Sequence, residues 1–163
     1  MTIVVKEGMV LDEWIELFLH YECAQDKTEL KRMLELVNGK KSVLEVGSNF
    51  GGTLKRMASV MAAKSLLVSV DAPLDDTPKF LNPVESLKST CQKLANSFGH
   101  RVELLIGDSH SEDTIKRARE LGPYEFGFID GDHSYEGVKA DWQNYGPMCK
   151  TVGFHDIAGP VDG

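Results

Sequence analysis

The sequence predicts an α/β fold, a doubly wound and mostly parallel sheet with helices on both faces. Short apolar runs alternate with segments of helical periodicity, five times along the chain. No hairpin signal joins one run to the next, which argues for parallel βαβ units. Each run also closes on a glycine, a carboxylate or an imidazole, all at the same edge of the predicted sheet. In such sheets ligands bind outside the carboxyl ends of the strands, so that edge is where function is sought.

Residues 11–22 place Leu11, Trp14, Ile15 and Phe18 at helical spacing, and residues 28–37 repeat the pattern with Leu30, Met33, Leu34 and Val37. Thr28 is the expected N-cap of the second helix and Asn38-Gly39 its stop. Residues 10–38 thus read as a helical cap near the ligand edge of a single domain spanning 1–163. The first strand, over 43–46, enters a glycine turn, and a helix with Leu54, Met57, Ala58 and Met61 on one face starts at Thr53. A strand over 65–70 ends in Asp71, and a proline-punctuated loop follows from Pro73 to Pro83. The helix over 84–98 is stopped by Gly99 and leads to a strand over 101–106, closed by Gly107-Asp108-Ser109. A helix over 112–121 breaks at Gly122-Pro123, a strand over 124–129 closes on Asp130, and a helix over 134–144 precedes a last strand over 152–154, closed by His155-Asp156.

The chain has 163 residues, 42% hydrophobic and 26% charged, which is ordinary for one globular core. A net charge of −7 argues against a nucleic-acid partner. Cys23, Cys91 and Cys149 are widely separated and form no CxxC pair, so neither a disulfide framework nor a zinc knuckle is supported. The N-terminus lacks a signal-peptide layout and no apolar run approaches membrane-spanning length, so a cytoplasmic protein without a membrane partner is expected.

The stretch from Ser42 to Thr53 carries the first functional signal. A buried strand delivers a glycine-rich turn into a helix start, where backbone and free N–H groups can approach a ligand closely. The spacing is G-x-x-x-G-G, which fits neither the dinucleotide fingerprint nor the phosphate-binding loop of nucleoside triphosphatases, leaving a smaller adenosine-type ligand. Asp71, one βα unit later, is placed to accept hydrogen bonds from both hydroxyls of a ribose. Asp108-Ser109 could bracket an adenine, although Ser109 or Ser111 could equally cap the next helix. Asp130-Gly131-Asp132-His133-Ser134-Tyr135 is the densest polar cluster, with His155-Asp156 at the neighbouring strand end. These groups read either as ligands for Mg²⁺ or Mn²⁺, or, in the case of His133, as a general base. The plainer reading makes Asp132 or Ser134 a helix cap and His133 a solvated loop residue. His20, His100 and His110 show no partner pattern and are expected at the surface or in loops.

Glu45-Val-Gly47-Ser-Asn-Phe-Gly51-Gly-Thr53, Asp71 and Gly107-Asp108-Ser109 resemble the first three motifs of class I S-adenosylmethionine-dependent methyltransferases, which have a Rossmann-like fold. Phe128-Ile-Asp130-Gly-Asp-His133-Ser-Tyr135-Glu-Gly-Val-Lys-Ala-Asp141 and Phe154-His155-Asp156 are similar to the branch with macrocin-type O-methyltransferases, cephalosporin hydroxylase relatives and many small bacterial or phage methyltransferases. The resemblance runs from Lys41 to Asp156. It implies that the Glu45–Thr53 motif cradles S-adenosylmethionine, with Gly47, Asn49 and Gly51 along its methionine portion, Asp71 at the ribose, Asp108 and Ser109 near the adenine, and Asp130 also among the cofactor-binding residues. It also implies Mg²⁺ at Asp130, His155 and Asp156, His155 standing where a carboxylate is usual, and His133 as the base that deprotonates a small-molecule or sugar hydroxyl. The rival reading is a module that holds the cofactor without turnover. The sequence stops at Gly163, before the two-strand antiparallel hairpin that completes such a sheet, so the expectation is either a reduced form whose open edge is completed in a homo-oligomer, or a fragment.

Overall fold

The computed structural model describes residues 26–72 and 83–155. The helix expected over 11–22, most of the Pro73–Pro83 loop, His20, Cys23 and Asp156 lie outside them.

Among the described residues the elements run α1 (Lys27–Val37), β1 (Ser42–Val46), α2 (Gly52–Val60), β2 (Leu66–Asp71), α3 (Pro83–Phe98), β3 (Arg101–Ile106), α4 (Glu112–Leu121), β4 (Phe126–Ile129), α5 (Tyr135–Tyr145), a short 3-10 turn (Gly146–Met148) and β5 (Val152–Phe154). The strands form one sheet in the order β3-β2-β1-β4-β5, every neighbour parallel. The chain builds outward from β1 through β2 to β3, then crosses back to β4 on the other side of β1. This reversal opens a crevice between the carboxyl ends of β1 and β4.

Strand side chains alternate between faces, and each face finds its own helices. Val43, Leu67, Phe126 and Phe128 pack with Leu30 and Leu34 of α1, Leu54 and Met57 of α2 and Leu87 of α3. Leu44, Val46, Val68, Val70 and Leu105 pack with Ala118, Tyr124, Tyr145 and Met148. Burying each such side chain contributes about 1.5–3 kcal/mol, so the layers hold the strand ends in a fixed frame. Glu45 and Ser69 fall on the first face by the same alternation, and both are wholly buried.

Element boundaries depart from the sequence reading where side chains choose the cap. The N-cap of α1 is Asp26, whose Oδ1 accepts from the Thr28 N–H at 2.8 Å, rather than Thr28 itself. β4 begins at Phe126, where its pairing with Val43 of β1 starts, and Tyr124 makes an isolated bridge to Cys149 instead. His100 is buried, not at the surface. Its Nδ1 accepts from the Ser65 N–H at 3.2 Å and its Nε2 faces the Ala58 carbonyl at 2.9 Å, so it clasps the end of α2 to the start of β2. No helix among the described residues is long and apolar enough to cross a membrane.

Candidate active site

The turn after β1 is wound tightly, with positive φ at Gly47 (+83°), Asn49 (+49°) and Gly51 (+80°). Gly47 is confined by contact as well as conformation: a Cβ there would lie 2.1 Å from the carbonyl oxygen of Asp130. The glycine is therefore what lets the β1 and β4 ends approach each other. Gly51 is the N-cap of α2 and makes no side-chain cap hydrogen bond to it. Gly52 and Thr53, the start of that helix, line the crevice.

The turn is braced from two sides. Oδ2 of Asp71 accepts from the N–H groups of Ser48 and Asn49, each at 2.6 Å. Beneath it, the Ser48 hydroxyl donates to Oε2 of Glu45 at 2.5 Å and accepts from Ser69 Oγ at 2.7 Å. Burial pushes the Glu45 carboxyl up to about 8, against the opposing bond from Ser48 and with the charges of Asp130 and Asp71 adding to the rise. Burial also raises Asp71, offset by its two backbone bonds.

The crevice is a cleft of about 660 Å³, within the usual range for a small-molecule site. Gly47, Asn49, Asp71, Asp108, Ser109, Asp130, His133 and His155 all line it. Glu45 does not. Its side chain is sealed under the turn and reaches the cleft through Ser48, which corrects its placement among the ligand-contacting residues. Gly51 also sits behind the turn, against Thr90 and Leu87. Asp156 lies outside the described residues.

Several polar groups split between site and scaffold. Oδ1 of Asp108 accepts from the His110 N–H at 2.8 Å, closing a local turn, while Ser111 caps α4. Asp132 accepts from the Ser134 N–H at 2.8 Å, which holds its carboxyl below its ordinary value, and Ser134 caps α5. The capping role foreseen for Ser134 is the one observed. Asp130, by contrast, turns its Oδ1 to His155 Nδ1 at 2.8 Å and to His133 Nε2 at 3.6 Å.

His110 is exposed in the turn after β3, as expected of a surface or loop residue, and also forms part of the cleft wall. Its Nε2 meets Oδ1 of Asp141, a carboxylate of α5 that is wholly buried. Burial raises Asp141, moderated by the Ser109 hydroxyl and by His110. The signal for Asp141 was its position: Gly137, Asp141 and Tyr145 recur at helical spacing on the buried stripe of α5.

A parallel sheet whose switch point carries a glycine turn and a ring of acidic strand ends has the layout of the ligand-binding edge of doubly wound α/β folds. The chain belongs to the methyltransferase domain family, whose model matches residues 44–157. Among solved structures, it resembles CalS11, a TDP-rhamnose 3'-O-methyltransferase of calicheamicin biosynthesis, at a TM-score of 0.62 and 19% identity over 94% of this chain and 73% of that one. Cofactor-bound Rv0187 from MTB gives a TM-score of 0.60 and 21% identity over 83% of this chain and 57% of its own. The MycE methyltransferase of the mycinamycin pathway, in complex with Mg, SAH and mycinamycin VI, gives 0.53 and 17% over 86% and 34%. The chain thus spans less than two thirds of Rv0187 and about a third of MycE. The three likenesses are in fold. No curated protein matches the chain in sequence.

Proposed function

We propose that the protein is an S-adenosylmethionine-dependent methyltransferase acting on a hydroxyl oxygen of a small molecule or sugar. The observation that carries this reading is one cleft in which the Gly47–Thr53 turn and Asp71 face Asp130 and His133. The cleft suits that cofactor chemically. Its walls hold Asp71, Asp108, Asp130 and Asp132, and no lysine or arginine among the described residues, so its field favours a cationic ligand. The start of α2, which lines the cleft at Gly52 and Thr53, presents its positive dipole end to a carboxylate such as the one at the amino-acid end of the cofactor.

Bound there, S-adenosylmethionine supplies an electrophilic methyl group on a sulfonium. The chain supplies orientation and a proton acceptor. Asp71 has its Oδ2 committed to the turn and offers Oδ1 to the ribose; Ser109 and His110 stand at the far wall for the base. His133, half-exposed at the mouth, is placed to accept the proton of an acceptor hydroxyl that would receive the methyl group. Asp130 lies between His133 and His155 and fixes their relative placement. Mg²⁺, implied by the family resemblance, takes oxygen ligands; of the cluster Asp130, His133 and His155 one member is a carboxylate and two are imidazoles, so these described residues do not fit it.

Calorimetry with S-adenosylmethionine tests the reading, followed by release of the demethylated product over a panel of small-molecule and sugar hydroxyls. Saturable binding with turnover on at least one acceptor is expected. No heat at cofactor concentrations on the order of millimolar defeats the reading. Binding without turnover on any acceptor favours the module that only holds cofactor.

A further inference from the structure

The ends of β4 and β5 bring together one carboxylate and two imidazoles. Oδ1 of Asp130 stands 2.8 Å from Nδ1 of His155 and 3.6 Å from Nε2 of His133. One ligand atom from each of the three residues lies within 4.8 Å of the other two. The two rings meet edge to face, at 85° and 5.8 Å between centroids, so neither blocks the other by stacking. Around a small divalent ion with ligands at about 2.0–2.2 Å, neighbouring donors in a tetrahedron lie about 3.3 Å apart. The two separations from Asp130 bracket that spacing.

The surroundings agree with the geometry. The Asp130 and His155 side chains are 15% and 10% exposed, which holds two donors in place, while His133 at 55% leaves a way in for an ion. The other carboxylates of the cleft add negative potential and no lysine or arginine of the described wall competes.

The donor set decides the class of ion. Mg²⁺ demands near-octahedral oxygen coordination and keeps much of its water, whereas imidazole nitrogens suit borderline metals. We propose that Asp130, His133 and His155 form a site for a divalent transition metal of the Zn²⁺ or Co²⁺ type, with remaining positions open to the cleft. The proposal stands on these three side chains and does not need methyl transfer to hold. It has one consequence for that reading. A nitrogen lone pair of His133 given to a metal is not available to a proton, so the two uses of His133 exclude each other.

The test uses the full chain without any affinity tag, stripped with a chelator. CoCl₂ titration read by visible d–d absorption, and ZnCl₂ titration read by calorimetry, are expected to show one ion per chain. His133→Ala and His155→Ala are each expected to weaken zinc binding by more than the roughly 10- to 100-fold lost when an outer-shell partner is removed. Excess MgCl₂ is expected to leave the cobalt spectrum unchanged. His133→Ala removes a half-exposed side chain, so it reports on the site even if His155→Ala fails to fold. The proposal is overturned if the wild-type chain gives neither cobalt bands nor zinc heat, if His133→Ala binds zinc as tightly as wild type, or if Mg²⁺ displaces the cobalt.

Discussion

The Nε2 of His110 lies 3.2 Å from Oδ1 of Asp141, which ties the cleft wall after β3 to the buried face of α5. Asp141 also lies under Gly131, where an added Cβ would come within 3.1 Å of its Oδ2. One carboxylate thus supports two of the strand-end turns that form the cleft. Asp141→Ala is expected to cost about 1–3 kcal/mol, the penalty for leaving polar groups around a buried position without their partner. His110→Ala, at a partly exposed position, is expected to cost less, and both should weaken S-adenosylmethionine binding. Scanning calorimetry and cofactor titration check the pair. A wild-type melting temperature in Asp141→Ala would show that the carboxylate does not hold these turns.

Gly47 and Gly39 separate conformation from contact. Both have positive φ, +83° and +73°, but a Cβ at Gly39 meets nothing within 4 Å while one at Gly47 would run into the Asp130 carbonyl. Gly39→Ala is expected to cost about 1–2 kcal/mol, the left-handed backbone term alone. Gly47→Ala should cost clearly more, because the β1 and β4 ends must move apart, and should abolish cofactor binding. Urea unfolding of the two variants measures the difference. Equal costs would mean that the close approach contributes nothing.

The sheet was legible because strands buried on both faces leave continuous apolar runs, and because their carboxyl ends are marked by Gly47, Asp71, Asp108, Asp130 and His155. The cleft followed from the same marks. What the residues did not disclose were contacts made across the fold by groups ordinary in type. His100 joins Ser65 and Ala58, and His110 meets Asp141, through pairings that no local spacing records. Glu45 sits within a strand of apolar residues, and only the alternation of faces shows that it turns into the core rather than toward the ligand.

Glu45 should make stability depend on pH in a defined sense. Its carboxyl rises from an ordinary 4.5 to about 8 on folding, so the folded state holds a proton that the unfolded chain releases. The associated stability is fully present below pH 4.5, falls as pH climbs and is lost on passing about 8. The slope contributed across that window is about 1.4 kcal/mol per pH unit. Glu45→Gln removes it. Urea unfolding at several pH values is expected to show wild type losing stability relative to the variant between pH 5 and 8, roughly the span between the two values. Parallel curves would show that Glu45 stays charged in the folded protein.

His133→Ala tests the base against the scaffold. The ring lies at the cleft mouth, half-exposed, and three residues before it Asp130 stands on the rigid end of β4. Removing the ring should therefore leave the fold and the turn around Gly47 unchanged. In chelator-treated protein, turnover on a hydroxyl acceptor is expected to fall by about 10²–10⁴, the usual worth of a positioned proton acceptor. Affinity for S-adenosylmethionine should stay within about twofold, well under the 1.4 kcal/mol of a tenfold change. The loss should shrink as pH rises, because hydroxide and the ionised acceptor take over the proton acceptor's task. A loss of the same size at every pH would assign His133 to holding the acceptor rather than to taking its proton.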